Sequence, residues 1–271
     1  MPTSKNTPRE PYHGTQAVAR AISILKVFEN SPATFTAAQI AAKLNLNRST
    51  VHRLLSILET EGFVARESAI DTDARHSAYR LGPTLVSLGG MALKQINIRS
   101  IALPHLRALA QSSGETVDLE ILIGYEVMII EEVQGGRVLR VGVGDNVGGR
   151  YPAHTTSTGK ILLAALGDTE LKEFLSSKLI AATPQTLIDK QLLREQIDLI
   201  RKQGWASAWE ELEVGLMAVG APIRDRDGNV IAAISISGPT VRINKNQIKE
   251  LAALVIEAGK SISRDLGFMR R

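Results

Sequence analysis

The sequence predicts an α+β chain in two parts: a small, mainly helical N-terminal part, and a larger part in which helices pack on a mostly antiparallel sheet. Three observations predict it. Residues 36–63 contain two short runs with apolar residues at helical spacing on either side of a tight turn. Residues 116–133 and 215–238 contain paired apolar runs of strand length joined by glycine-containing turns. Residues 1–96 hold 11 Lys and Arg against 7 Asp and Glu, whereas residues 97–271 hold 21 of each, so the whole formal excess of +4 sits in the first part.

The elements follow in order. Residues 1–14, rich in Pro, Thr and charge, are expected as a mobile arm. Gln16–Glu29 is expected as a helix with Val18, Ile22, Leu25 and Phe28 as its inward stripe. Thr36 and Gln39 form a T-x-x-Q capping box, which starts the next helix by satisfying its free N–H groups. Ala37, Ile40, Ala41 and Leu44 share one face of that helix. Asn45-Leu46-Asn47 makes the turn, and Asn47 caps the helix that follows. Val51, Leu54, Leu55 and Leu58 then form an i, i+3, i+4, i+7 stripe, while Arg48, Ser49, His52, Arg53 and Ser56 point away from it. Gly62 ends the helix as a C′ glycine. Phe63–Arg66 and Ala78–Leu81 read as two short strands around a polar loop holding Arg75 and His76.

Helix, tight turn and basic second helix, then a strand pair, make a winged helix-turn-helix over residues 15–83. In such motifs the start of the second helix reaches base edges in the major groove. Arginine pairs with guanine, and Ser, Thr and His bond base edges or phosphates. The candidate contacts with double-stranded DNA are Thr36, Arg48, Ser49, Thr50, His52 and Arg53, with Arg75, His76 and Arg80 from the wing. Asp71 and Asp73 repel phosphate, so the whole wing loop is not expected on DNA. A plain helical hairpin is the alternative, weakened by the wing and by the one-sided charge. That charge is modest, which favours a dimer on a two-fold site.

Leu81-Gly82-Pro83 marks a boundary, and residues 84–97 are expected as a linker helix capped by Thr84. Leu85, Leu88 and Ala92 give it an apolar stripe, and Gly89-Gly90 suits close packing against a second copy. A loose linker is the alternative. Residues 98–271 form the second part. A helix is expected at 99–113, interrupted or kinked at Pro104. Thr116–Ile123 and Glu126–Val133 are strands turned at Gly124-Tyr125, and Val138–Val143 is a further strand. Helices follow at Ser157–Leu166, Thr169–Ser177 and Lys190–Lys202, the last stopped by Gly204. Gly215–Arg224 and Asn229–Gly238 are strands joined at Asp225–Gly228, and Lys245–Leu266 is the closing helix. Domains of this kind hold small-molecule pockets between sheet and loops.

The chain resembles the IclR family of transcriptional regulators. The resemblance rests on LNRSTVHRLLSILETEGFV, YRLGPTLVSLG, ETVDLEILIGYEVMIIEEV, YPAHTTSTGKILLA, EELEVGLMAVGAPI and GNVIAAISISGP, in that order across residues 15–267. It implies a winged helix-turn-helix joined by the linker helix to a GAF-like α/β effector-binding domain with a mostly antiparallel sheet. It also implies a homodimer or dimer of dimers, and control of genes by a small carboxylate-bearing effector. Tyr151, Ser157, Thr158, Gly159, Trp209, Ala218, Ser235 and Ser237 are the implied effector residues. Ser157–Gly159 open a helix, whose N–H groups suit an anion. Strand alternation puts Ser235 and Ser237 on one face, where buried hydroxyls need partners from a ligand or from neighbouring backbone. Two departures stand out. Ala218 replaces a cysteine that many members carry, and Ala208-Trp209 stands where an acid often precedes the Glu210-Glu211 pair. They imply a larger or more apolar effector than a small keto acid, such as an aromatic acid, with Trp209 able to stack on it.

Other classes are weakened. Ser157-Thr158-Gly159-Lys160 matches S-x-x-K without its companion motifs, and His154 and Ile161 break a phosphate-loop reading. Gly142-Val143-Gly144 lacks a third glycine for a dinucleotide site, and the histidines lack ligand spacing, so no metal or cofactor is expected. His154 either orders the pocket loop or is ordinary core. No cysteine, no signal-peptide core and no membrane-length apolar run predict a cytoplasmic regulator, repressor or activator, and not an enzyme.

Overall fold

The computed structural model describes residues 15–29, 34–67, 78–95, 97–137 and 146–269. The expected arm at 1–14, Arg75 and His76 of the wing loop, and the expected strand Val138–Val143 lie outside the described residues. The chain divides into two compact units, Met1–Leu93 and Lys94–Arg271.

The first unit runs α1 (Gln16–Lys26), β1 (Phe35–Thr36), α2 (Ala37–Leu44), α3 (Arg48–Thr60), β2 (Val64–Glu67) and β3 (Ala78–Leu81). Thr36 closes the expected capping box: its hydroxyl accepts from the Gln39 N–H at 3.3 Å, and its own N–H donates to Gln39 Oε1 at 2.8 Å. Asn45 takes a left-handed φ of 51°, which asparagine tolerates, and turns the chain sharply into α3. Asn47 occupies the N-cap of α3, but its side chain makes no capping bond. Gly62 at φ 70° lets the Phe63 N–H reach back to Leu58 O at 2.8 Å, ending α3. The wing is a three-stranded sheet in the order β1-β3-β2, with Val64 opposite Leu81 and Phe35 opposite Tyr79. The two-residue β1 is too short to show alternation in the sequence.

Val51, Leu54, Leu55 and Leu58 of α3 are buried with Ile40, Val64 and Tyr79, as the stripe requires. The stripe of α1 needs correction. The helix ends at Lys26, and Ile24 and Phe28 enter the core, where Phe28 meets Phe35 edge-to-face at 5.4 Å. Val18 and Ile22 are 61% and 50% exposed. This helix is apolar on two faces, and periodicity does not say which of them meets α3.

α4 (Pro83–Gln95) begins at Pro83, whose missing N–H costs nothing in the first turn. Thr84 is therefore inside the helix and is not its cap; its hydroxyl donates to Glu61 O at 2.9 Å. Gly89 and Gly90 have no heavy atom within 4 Å of where a Cβ would stand, and Leu88 is 49% exposed.

The second unit continues with α5 (Asn97–Ser113), which runs through Pro104 as one helix. Then come β4 (Thr116–Ile123), β5 (Glu126–Val133), β6 (Arg150–Pro152), a short 3-10 turn at Ala153–Thr155, α6 (Ser157–Ala165) and α7 (Asp168–Ser176). α8 (Lys190–Gln203), β7 (Ala206–Trp209), β8 (Leu216–Arg224), β9 (Val230–Pro239) and α9 (Ile248–Asp265) complete it. The six strands form one antiparallel sheet in the order β6-β5-β4-β9-β8-β7. The short β6 and β7 were not expected from the sequence. α5 and α9 pack on one face, and α6, backed by α8, packs on the other. Covered on both sides, the central strands bury both sets of alternating side chains: Val117, Leu119, Ile234 and Ile236 on one, Asp118, Glu120 and Ser235 on the other.

Candidate functional site

A cavity of about 300 Å³ lies in the second unit, where the start of α6 faces β4, β9 and β8. Thr156 caps α6 by accepting the Gly159 N–H at 2.9 Å, and Ser157 and Thr158 follow in its first turn. Ser157 lines the cavity and is 1% exposed, and its hydroxyl has no hydrogen-bond partner. A buried polar atom left in this state asks for a ligand or water. β8 passes directly beneath: a Cβ at Gly220 would stand 3.1 Å from Ser157 Oγ.

The expected effector residues divide. Tyr151, Ser157, Thr158, Ala218, Ser235 and Ser237 all border the cavity. Gly159 does not; its N–H is taken by Thr156, and a Cβ there would stand 2.1 Å from Ala153 O, so it lets α6 sit against the preceding turn. Trp209 does not either. Ala208 lines the cavity, so its neighbour on the strand faces the other way, where Lys245 Nζ lies 5.3 Å from the indole ring. Trp209 cannot stack on a ligand in this cavity.

The cavity also carries acids that the sequence reading did not name. Asp118 and Glu120 of β4, Glu132 of β5, and Glu211 and Glu213 after β7 all line it. The apolar lining is Ile129, Leu212, Leu216 and the two alanines, Ala208 and Ala218. Asp118 lies opposite Ser235 on β9 and opposite Glu132 on β5. Its Oδ2 accepts from Ser237 at 3.0 Å and from Ser235 at 3.5 Å, so the two serines on the expected face turn to an acid of the same chain. Burial first, then the Glu120 and Glu132 charges, holds the Asp118 carboxyl well above its usual range. Burial raises Glu120 to about 7, against a hydrogen bond from Thr158 Oγ1 at 2.6 Å that favours its charged form. Burial and the Glu120 and Asp118 charges push the Tyr151 phenol up, which keeps it a donor.

Lys160 explains the S-x-x-K phrase. It is fully buried, and its Nζ donates to Glu211 Oε1 at 2.7 Å and Ser207 O at 2.6 Å, tying α6 to the segment after β7. Glu210 holds a left-handed φ of 56° there. Thr183 and Thr186 clamp the carbonyls of Glu210 and Glu211 at 2.5 and 2.7 Å. Such backbone costs about 1–3 kcal/mol and persists where its surroundings over-determine it. His154 is buried with Nε2 3.1 Å from Ile180 O, and burial lowers its pKa.

Sequence reasoning missed Asp118, Glu120, Glu132, Glu213 and the role of Lys160. A signal was present in T-V-D-L-E-I. Two acids at i and i+2 sit on one face of an otherwise apolar strand, beside the strand carrying Ser235 and Ser237.

On the first unit, Arg48, Ser49, His52 and Arg53 are exposed along one side of α3, and Thr50 is half-buried. Thr36 spends its hydroxyl on the α2 cap. Arg80 is exposed on β3, with Nη1 3.3 Å from Leu81 O.

Residues 17–68 match the model of the IclR helix-turn-helix domain, and residues 90–264 match that of the bacterial transcriptional regulator IclR C-terminal domain. The chain belongs to the IclR family. The HTH-type transcriptional regulator XynR of Escherichia coli is 34% identical over 254 residues, covering 93% of this chain and 98% of that protein. Among solved IclR structures, that of Thermotoga maritima is 32% identical with a TM-score of 0.72, covering 94% of this chain and all of the other. An IclR homolog from Microbacterium hydrocarbonoxydans, complexed with 4-hydroxybenzoate, is 30% identical with a TM-score of 0.77, covering 92% and 98%. This IclR-family chain is thus a DNA-binding transcriptional regulator and not an enzyme. Among the described residues, no helix is long and apolar enough to cross a membrane.

Proposed function

We propose that this regulator reads an operator through α3 and is controlled by a small metabolite held in the cavity beside α6. The observation that carries the reading is the unpartnered, buried Ser157 hydroxyl at a helix N-terminus on the wall of a ligand-sized cavity. A carboxylate end on Ser157 and Thr158 suits that terminus, and the 4-hydroxybenzoate complex of the Microbacterium homolog supports an organic acid, aromatic ones included. The DNA residues in this proposal are Arg48, Ser49, Thr50, His52 and Arg53, with Arg80 on the backbone. The exposed Val18 and Ile22, and α4 with its open glycines, suit a homodimer or dimer of dimers on a two-fold operator.

The effector changes operator affinity only as far as it binds one arrangement of the assembly better than another. Repression or activation then depends on where the operator lies. Control of a catabolic operon and a cytoplasmic location belong to this proposal, which needs no cofactor beyond the effector.

Fluorescence anisotropy on the chain's own upstream DNA, against a scrambled duplex at two salt concentrations, tests the DNA half. Tighter, salt-sensitive binding to the upstream duplex supports it. No binding to either duplex at low salt overturns it.

A further inference from the structure

The cavity is more acidic than a pocket for a simple acid needs. Asp118 and Glu120 line it from β4, Glu132 from β5, and Glu211 and Glu213 from the segment after β7. Tyr151 faces it from β6. Lys160 of α6 answers only Glu211, and among the described residues bordering the cavity none is Lys, Arg or His. Asp118 and Glu132 stand directly opposite each other on paired strands, a juxtaposition that disfavours ionising both.

A second, independent observation points to what this wall receives. Glu211, 8% exposed, lines the cavity, and its Oε2 has no hydrogen-bond partner. A carboxylate oxygen can only accept, so it asks for a donor. Ser157 Oγ, also unpartnered, lies at the α6 end of the same cavity.

We propose that the effector is a zwitterion of amino-acid type, its carboxylate on the α6 N-terminus and its ammonium on the Asp118–Glu120–Glu132 wall and Glu211 Oε2. This rests on the cavity being the effector site and names the chemistry that the site selects. A plain organic acid would add a further negative charge to a wall that already holds Glu132 and Glu213. A neutral polyol would fill the acceptors without favouring the ionised forms of Asp118 and Glu120. An ammonium donates and also favours those ionised forms.

The proposal fixes a sign for proton linkage. Burial brings Glu120 to about 7 in the free protein, so it carries a proton about half the time at neutral pH, and burial raises Asp118 in the same direction. An ammonium stabilises their ionised forms. Binding therefore releases protons, and affinity rises between pH 6 and 8 while an amine near pKa ~10 keeps its charge. A plain carboxylate does the reverse, taking up protons and losing affinity as pH rises.

The test uses the full chain and two sets of size-matched probes. One set is 5-aminovalerate, 5-hydroxyvalerate and glutarate; the other is 4-(aminomethyl)benzoate, 4-(hydroxymethyl)benzoate and terephthalate. Calorimetry in buffers of differing ionisation enthalpy gives affinity and protons released. The expected result is that an amino member binds about tenfold more tightly than its hydroxyl partner, the usual gap between charged and neutral hydrogen bonds. It should release protons at pH 7, and Asp118→Asn with Glu120→Gln should remove both the preference and the release. The wild-type proton count stands even where that variant folds poorly. If hydroxyl or dicarboxylate members bind as tightly, or protons are taken up, the zwitterion is overturned while the cavity remains the effector site. If no probe binds, both the zwitterion and the effector reading of the cavity fall.

Discussion

Replacing Glu120 by glutamine should make the second unit more stable at pH 8 and flatten its response to pH. Glu120 is 5% exposed, and burial lifts its carboxyl from an ordinary 4.5 to about 7. Between those values the native state holds a proton that the unfolded chain has already lost. Stability from this group is fully present below about 4.5 and is lost as pH rises through about 7. The gap is worth on the order of 3 kcal/mol. Glutamine keeps the shape and an oxygen for the Thr158 hydroxyl, now 2.6 Å from Glu120 Oε2, and carries no charge at any pH. The variant should therefore exceed the wild type by less than about 1 kcal/mol near pH 5 and by up to about 3 kcal/mol at pH 8, the latter roughly 6–12 °C in midpoint for a unit of this size. Asp118 is raised in the same direction, so a smaller slope of the same sign should remain. Trp205 and Trp209, the only two tryptophans, both lie in the second unit, so their fluorescence reports its unfolding alone. Parallel stability curves for wild type and variant from pH 5 to 8 would refute the burial argument.

Four further outcomes are expected. Lys160→Met should cost about 3–5 kcal/mol in the tryptophan-monitored transition, because it leaves Glu211 charged and buried without its partner at 2.7 Å. Gly159→Ala should cost about 1–3 kcal/mol by the same assay despite alanine's helix propensity, because its Cβ would stand 2.1 Å from Ala153 O. Ile24→Ala should cost the first unit about 2–5 kcal/mol, whereas Val18→Ala on the exposed face should stay within about 0.5 kcal/mol when measured at concentrations that hold the assembly state fixed. Arg53→Ala should weaken operator binding by about 1–3 kcal/mol in anisotropy titrations, leaving the tryptophan transition unmoved.

The helix-turn-helix, the strand pairs of the second unit and the start of α6 were legible in the amino-acid order. These depend on short-range physics: the Thr36–Gln39 cap, the Val51–Leu58 stripe, Gly62 past a helix end, and apolar runs around Gly124 and Gly228. Even the shared face of Ser235 and Ser237 followed from alternation alone. Which of two apolar faces of α1 is buried, and that Trp209 points away while Ala208 faces the cavity, emerged only from the folded chain. It alone paired Asp118 with Ser237, distant in the chain, and set Glu132 across from it. Local spacing fixes a residue's phase along its own helix or strand. The partner that phase meets depends on strand order and register, and it was strand order that brought five carboxylates to one cavity beside the free hydroxyl of Ser157.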